Sequence, residues 1–161
     1  MLGNESDARL IFEWKGSQFL DDYSPAPRGW GYIGAGSYRS AYLSPGGVVY
    51  KVEHTPGSPY AQSNYGEMIN LRRYWLTKMP KGCRLPQWGW YPIESRTIGV
   101  IAMEHFDTLL RSFSRYDANG AKYWDRLVDL QEALYDLYDL YGANIAVDVE
   151  GDAVVPIDLG V

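Results

Sequence analysis

Short apolar runs separated by glycine- and proline-containing turns dominate residues 30–52, the pattern of strands rather than helices. Residues 30–43 begin and end as strand around a Gly34-Ala35-Gly36-Ser37-Tyr38 turn, Ser44-Pro45-Gly46-Gly47 is a second turn, and residues 48–52 are a third strand. Three strands joined so closely predict an antiparallel meander. The period then changes. Tyr65, Met68, Ile69, Leu71, Tyr74, Trp75 and Leu76 recur at spacings of three and four, which predicts an amphipathic helix over 61–79, with Ser63 or Asn64 as cap and Pro80-Lys81-Gly82 as stop. Residues 85–93 and 97–104 read as two further strands, completing a five-stranded antiparallel sheet that carries one helix. Upstream, residues 1–9 are polar and read as a frayed end, 10–14 as a strand or apolar anchor, and 23–29 as loop.

The remainder is helical until its last hairpin. Residues 108–116 predict a short helix and 121–138 a longer one, with Tyr123, Leu127, Leu130, Leu134, Leu137 and Tyr141 as its apolar stripe. Two apolar runs, 145–147 and 153–157, flank the glycine-containing stretch 148–152 and predict a β-hairpin. The fold class is therefore α+β, with one domain over residues 1–161.

Composition narrows the function. Hydrophobic residues make up 46% and aromatic residues 15%, which favours a packed interior over disorder. A net charge of −5 argues against a general nucleic-acid binder. The charge is unevenly spread: residues 1–102 hold 11 Lys and Arg against 8 Asp and Glu, or +3, whereas residues 103–161 hold 4 against 12, or −8. Such a split suits an anionic nucleotide with its phosphates toward lysine and a cation toward aspartate. The single cysteine, Cys83, has no partner for an internal disulfide, and the sequence offers no run of eighteen apolar residues and no secretory leader. The expectation is a cytoplasmic protein with no membrane contact.

Several polar residues stand where apolar ones would pack. Lys51 interrupts an apolar strand, and a buried ammonium needs an anion. Glu67 precedes Leu71 by one turn, on the apolar face of its helix, and is a suitable partner. Asn144 and Asp158 flank the hairpin, which would bring them to one mouth, with Asp139 five residues before Asn144. A set of carboxylate and amide oxygens suits Mg²⁺. His105 and His54 lack neighbouring cysteines and are not read as metal ligands.

The string Asp139-Leu140-x-x-x-Asn144, a hairpin, then Ile157-Asp158-Leu159-Gly160 resembles the catalytic loop and metal-binding turn of the protein kinase superfamily. Departures are plain. The family's His and Arg fall on Leu137 and Tyr138, its lysine on Tyr141, and the Phe of the metal turn on Leu159. Upstream, the glycine turn resembles the family's phosphate loop, although the third glycine is Arg39 and the usual valine is Ala41. Lys51 and Glu67 follow in family order, and Met103-Glu104-His105-Phe106 resembles the hinge. Asp136 rivals Asp139, but only Asp139 has the family's register.

The resemblance implies a kinase-like fold, with an N-lobe of about 1–103, a hinge of about 103–107 and a reduced, mainly helical C-lobe of about 108–161 that contains the metal-binding hairpin. It implies ATP and Mg²⁺ as cofactors. Gly34, Ala35, Gly36, Ser37 and Lys51 would hold phosphates, and Met103, Glu104 and Phe106 the base. Lys51 and Glu67 would position the donor, Asn144 and Asp158 bind the metal, and Asp139 orient or deprotonate an acceptor hydroxyl. With no activation segment or Ala-Pro-Glu motif in these residues, the chain resembles minimal kinases of bacteriophages and bacterial effectors. The function so implied is transfer of phosphate to a protein Ser/Thr hydroxyl. A nucleotide-binding pseudokinase that engages a host protein and a kinase for a small hydroxyl compound are the alternatives. Trp124, Val128, Tyr135 and Tyr138 lie beside the leucine stripe and are expected to be covered by a partner, a second copy or a host protein.

Overall fold

The computed structural model describes residues 1–18, 25–57, 63–137 and 140–160. It is an α+β protein with a five-stranded antiparallel sheet, and the chain divides into two compact units. The first comprises Met1–Met68 and Gln87–His105, the second Ile69–Pro86 and Phe106–Val161. The division falls inside one helix.

The sheet belongs to the first unit. Its strands are β1 (Gly31–Ala35), β2 (Arg39–Leu43), β3 (Val48–Glu53), β4 (Trp88–Ser95) and β5 (Ile98–Glu104), in the order β1-β2-β3-β5-β4. Alternation along the strands sorts side chains to two faces. Tyr42, Tyr50, Val52, Tyr91, Val100 and Ala102 form the apolar core with Ala8 and Ile11. On β2 and β3, Arg39 stands opposite Glu53 and Ala41 opposite Lys51, so these four share the other face.

The N-terminal segment departs from expectation. Residues 1–9 are not frayed and 10–14 are not a strand: Glu5–Gly16 forms helix α1. Asn4 caps it, its Oδ1 accepting the Asp7 amide at 2.8 Å. Glu5 and Asp7 lie in the first turn and Lys15 in the last, matching the helix dipole. Ala8 and Ile11 are fully buried against the sheet. The Asn4 amide donates to Tyr50 Oη at 3.1 Å, and Tyr91 Oη donates to the Leu2 carbonyl at 2.7 Å. The sheet therefore carries two helices rather than one, because the first ten residues hold a cap, not a loose end.

Helix α2 spans Ser63–Trp75, shorter than the expected 61–79; residues 61 and 62 lie outside the described set. Its buried face runs through Asn64, Glu67, Met68, Leu71 and Tyr74, while Ile69, Trp75 and Leu76, counted in the apolar stripe, are exposed.

In the second unit the helix expected over 108–116 is only a 3-10 turn at Leu110–Ser112. Helix α3 spans Ala118–Ala133, so the predicted 121–138 is displaced toward the N-terminus. Gly120 belongs to its first turn because a Cβ there would collide with the Ser114 backbone. Leu134 is buried but lies beyond the helix, in a turn. The hairpin is present as β6 (Ile145–Asp148) and β7 (Ala153–Pro156). Its tip is tied to α3 by Asp152, which pairs with Lys122 at 3.0 Å and Arg126 at 3.2 Å. Among the described residues no helix is long and apolar enough to cross a membrane.

Candidate functional site

The first unit holds a buried polar cluster on the α2 side of its sheet. Lys51 and Glu67 meet there: Lys51 Nζ donates to Glu67 Oε1 at 2.9 Å and to Oε2 at 3.1 Å. Glu67 is fully buried and Lys51 nearly so. Taking both charges out of water is costly unless geometry and hydrogen bonds are good, and two donations from one ammonium meet that condition.

Two residues that sequence reasoning left aside complete the cluster. Arg39 Nη1 pairs with Glu67 Oε2 and donates to Asn64 Oδ1 at 3.0 Å. Asn64 is wholly buried; its Nδ2 donates to the carbonyls of Lys51 at 2.8 Å and Gly99 at 3.0 Å, and its amide donates to Glu53 Oε1 at 3.0 Å. The sequence marks Arg39 only as a misfit at the third glycine position and Asn64 only as a possible cap. Burial pushes the Glu53 carboxyl above its usual range, against the Asn64 amide and the Arg39 charge, which pull it down.

The glycine turn lies at the β1–β2 connection, closed by the Gly36 amide donating to the Arg39 carbonyl at 2.9 Å. Ala35, Gly36 and Ser37 are exposed. Neither Gly34 nor Gly36 has positive φ, and a Cβ built on either meets no described atom within 4 Å. Glycine is not demanded there by the turn's own conformation. His54, whose ring Nε2 is 2.9 Å from Ser40 Oγ and whose amide donates to Tyr38 O at 2.8 Å, braces the turn from β3. Burial holds the imidazole below its ordinary value, with Lys15 adding to the effect.

Of the residues expected to form a hinge, Met103 is buried in β5, and the Glu104 amide donates to the Gln87 carbonyl at 3.0 Å. Phe106 lies in the second unit, where the Arg84 guanidinium stacks 5.4 Å above its ring.

In the second unit the hairpin brings Asn144 beside the strand that leads to Asp158. The Ile157 amide donates to the Asn144 carbonyl at 2.9 Å, and the Asn144 amide donates to Tyr141 O at 2.8 Å. Asp158 Oδ1 accepts the Gly160 amide at 3.1 Å, and Asn70 Nδ2 donates to the Leu159 carbonyl at 2.6 Å. Leu159 is buried. The backbone on both sides of Asn144 and the turn at Asp158 are thus fixed. An amide and a carboxylate oxygen are hard donors of the kind that Mg²⁺ takes. Among the described residues no three His, Cys, Asp or Glu side chains cluster as a metal site.

Asp139 lies outside the described residues, as does Tyr138. Its rival Asp136 is engaged elsewhere, accepting from Tyr74 Oη and pairing with Arg73. Cys83 is buried and its thiol is pushed up to about 11, so it stays protonated.

A scan against protein-family models and a search of the curated proteins found no match for the chain.

Proposed function

We propose that this chain is a kinase-like phosphotransferase that moves phosphate from ATP to a protein Ser/Thr hydroxyl in the cytoplasm. The observation that carries the reading is the fully buried Glu67 carboxylate holding Lys51 on the same sheet face as Ala41, one hairpin after a glycine turn. A buried lysine kept charged by one carboxylate is a phosphate anchor, since an ammonium is a point charge with three donors. In this reading Lys51 holds the donor phosphates, Glu67 holds Lys51, and the stretch Gly34-Ala35-Gly36-Ser37, whose Gly36 amide is held by the Arg39 carbonyl, covers the phosphates. The backbone of Met103, Glu104 and Phe106 receives the base, Asn144 and Asp158 supply oxygen ligands to Mg²⁺, and Asp139 accepts the acceptor's proton. Mg²⁺, when bound, neutralises charge on the phosphate oxygens.

The test is transfer of labelled phosphate from ATP to the protein itself, to a casein-like protein and to an aminoglycoside. The reading expects transfer to protein, abolished by Asp139→Asn. Label on the aminoglycoside alone would assign a small-molecule kinase. Nucleotide binding without transfer, unchanged by Asp139→Asn, would assign a pseudokinase, as Leu137 and Tyr141 in the catalytic-loop positions favour.

For the partner we propose the solvent face of α3 together with the residues that follow it. Val128 and Tyr135 are 53% and 80% exposed, and Trp124, Val128, Gln131 and Tyr141 line a cavity of about 350 Å³. A protein substrate fits this face better than a small molecule, because exposed aromatic residues are typical interface anchors.

A further inference from the structure

Glu67 carries two cations on one oxygen. Lys51 Nζ lies 3.1 Å from Oε2, and Arg39 Nη1 pairs with that same atom. The two cations come from adjacent strands, and the Arg39 side chain is only 11% exposed. Through Asn64 Oδ1 the same guanidinium nitrogen also reaches the first turn of α2. Arg39 therefore ties β2 to both polar residues by which α2 meets the sheet.

A buried carboxylate deprived of its counter-ion is strongly disfavoured. Lys51 can turn part of its hydrogen bonding toward an incoming phosphate only if Glu67 remains paired. A guanidinium is suited to that task because it is always charged and presents its donors in a rigid fork. We propose that Arg39 is a positioning residue for the nucleotide site: it holds Glu67, and with it Lys51, in the donor-binding arrangement before and after the phosphates arrive. The inference rests on the nucleotide reading above and adds a residue to it. The Arg at the third glycine position is then part of the site rather than a lesion in it.

The test uses the full chain as parent, R39Q, R39K, K51M and R39Q/K51M, with two readouts. In thermal melts without ligand, R39Q and K51M each shift the midpoint modestly, because either leaves Glu67 one cation, while the double variant loses clearly more than the two shifts combined. In calorimetric titrations, R39Q weakens MgATP by about tenfold or more, as loss of one charge-assisted contact would, and leaves adenosine unchanged. R39K recovers part of the MgATP loss. Additive melting shifts overturn the proposal, as does an R39Q protein that binds MgATP like the parent. Equal weakening toward MgATP and adenosine also overturns it, since that is the mark of a general packing defect. An R39Q chain that fails to fold while K51M folds contradicts the equal sharing. If the parent binds no MgATP, the nucleotide reading falls by itself, and the melting cycle still decides whether Arg39 is the second counter-ion of Glu67.

Discussion

Removing the Glu67 carboxylate takes away the buried anion that Arg39 and Lys51 share, so Glu67→Ala is expected to cost about 3–5 kcal/mol in urea unfolding. A loss under 1 kcal/mol would mean that water reaches the cluster. Glu53 gives a prediction of opposite character. Burial raises its carboxyl above the usual value, so its folded form holds a proton more readily than its unfolded form. Stability linked to that proton is complete below the ordinary carboxyl range and is lost as pH rises through the raised value. Glu53→Gln, which keeps an acceptor for the Asn64 amide, should therefore match the parent near pH 4 and become the more stable protein toward neutrality. Melts across that range check the sign; a parent that becomes more stable than Glu53→Gln toward neutrality would show that the Arg39 charge outweighs burial. Lys51 and Glu67 were legible because each stands alone in an apolar pattern. Arg39 and Asn64 were not, because a charge beside a turn and an amide at a helix start look solvated until tertiary packing buries them.

At the level of elements, α1 separates local signals from the pattern read over a longer stretch. Leu10, Ile11 and Phe12 are contiguous, and a short apolar run does not distinguish strand from helix. The deciding marks were Asn4 and Asp7, a cap and an acidic first turn inside a segment that reads as merely polar. Ile11→Ala should cost about 2–4 kcal/mol, since a fully buried isoleucine is cut back against Tyr42 and Tyr50, whereas Asn4→Ala should cost about 1 kcal/mol. Chemical denaturation of both variants checks the order; equal small losses would mean that α1 is peripheral to the sheet's stability. The hairpin was legible from glycine and alternation, but its anchoring was not. Asp148 is held below its ordinary value by the Gly151 amide and then Arg84, and Asp152 by Arg126 and then Lys122. Depressed carboxyls contribute stability above their ordinary values and lose it as pH falls through the depressed range. Protection of the β6 and β7 amides, taken relative to their intrinsic exchange rates, should therefore fall below about pH 4, and sooner at high salt for the exposed Asp152 contacts. Protection indifferent to acid would remove those ties from the account. The short helix expected over 108–116 failed for a related reason: Ser112 and Ser114 satisfy backbone groups locally, and Gly120, without a Cβ, lets the Ser114 backbone pack close against the first turn of α3.

For the molecule as a whole, the proposed ligand is ATP with Mg²⁺. The order of glycine turn, lysine, glutamate, hinge-like segment and hairpin was readable from the chain. Their distribution over two units, with α2 divided between them, was not, because periodicity does not say which elements cluster. A glutamate at Val128 is expected to weaken association with a protein substrate, seen by light scattering, without moving the melt of the sheet. Binding to the native state alone raises stability by about 2.7 kcal/mol at a ligand concentration one hundred times its dissociation constant. For a chain of this size that is a rise of roughly 5–10 °C in melting temperature. The decisive measurement is calorimetric titration of MgATP into the parent, K51M and Asp158→Ala proteins. The account predicts saturable one-to-one binding by the parent, weakened at least about tenfold by either substitution. No saturable heat with the parent at millimolar MgATP, or binding that neither substitution changes, would contradict it.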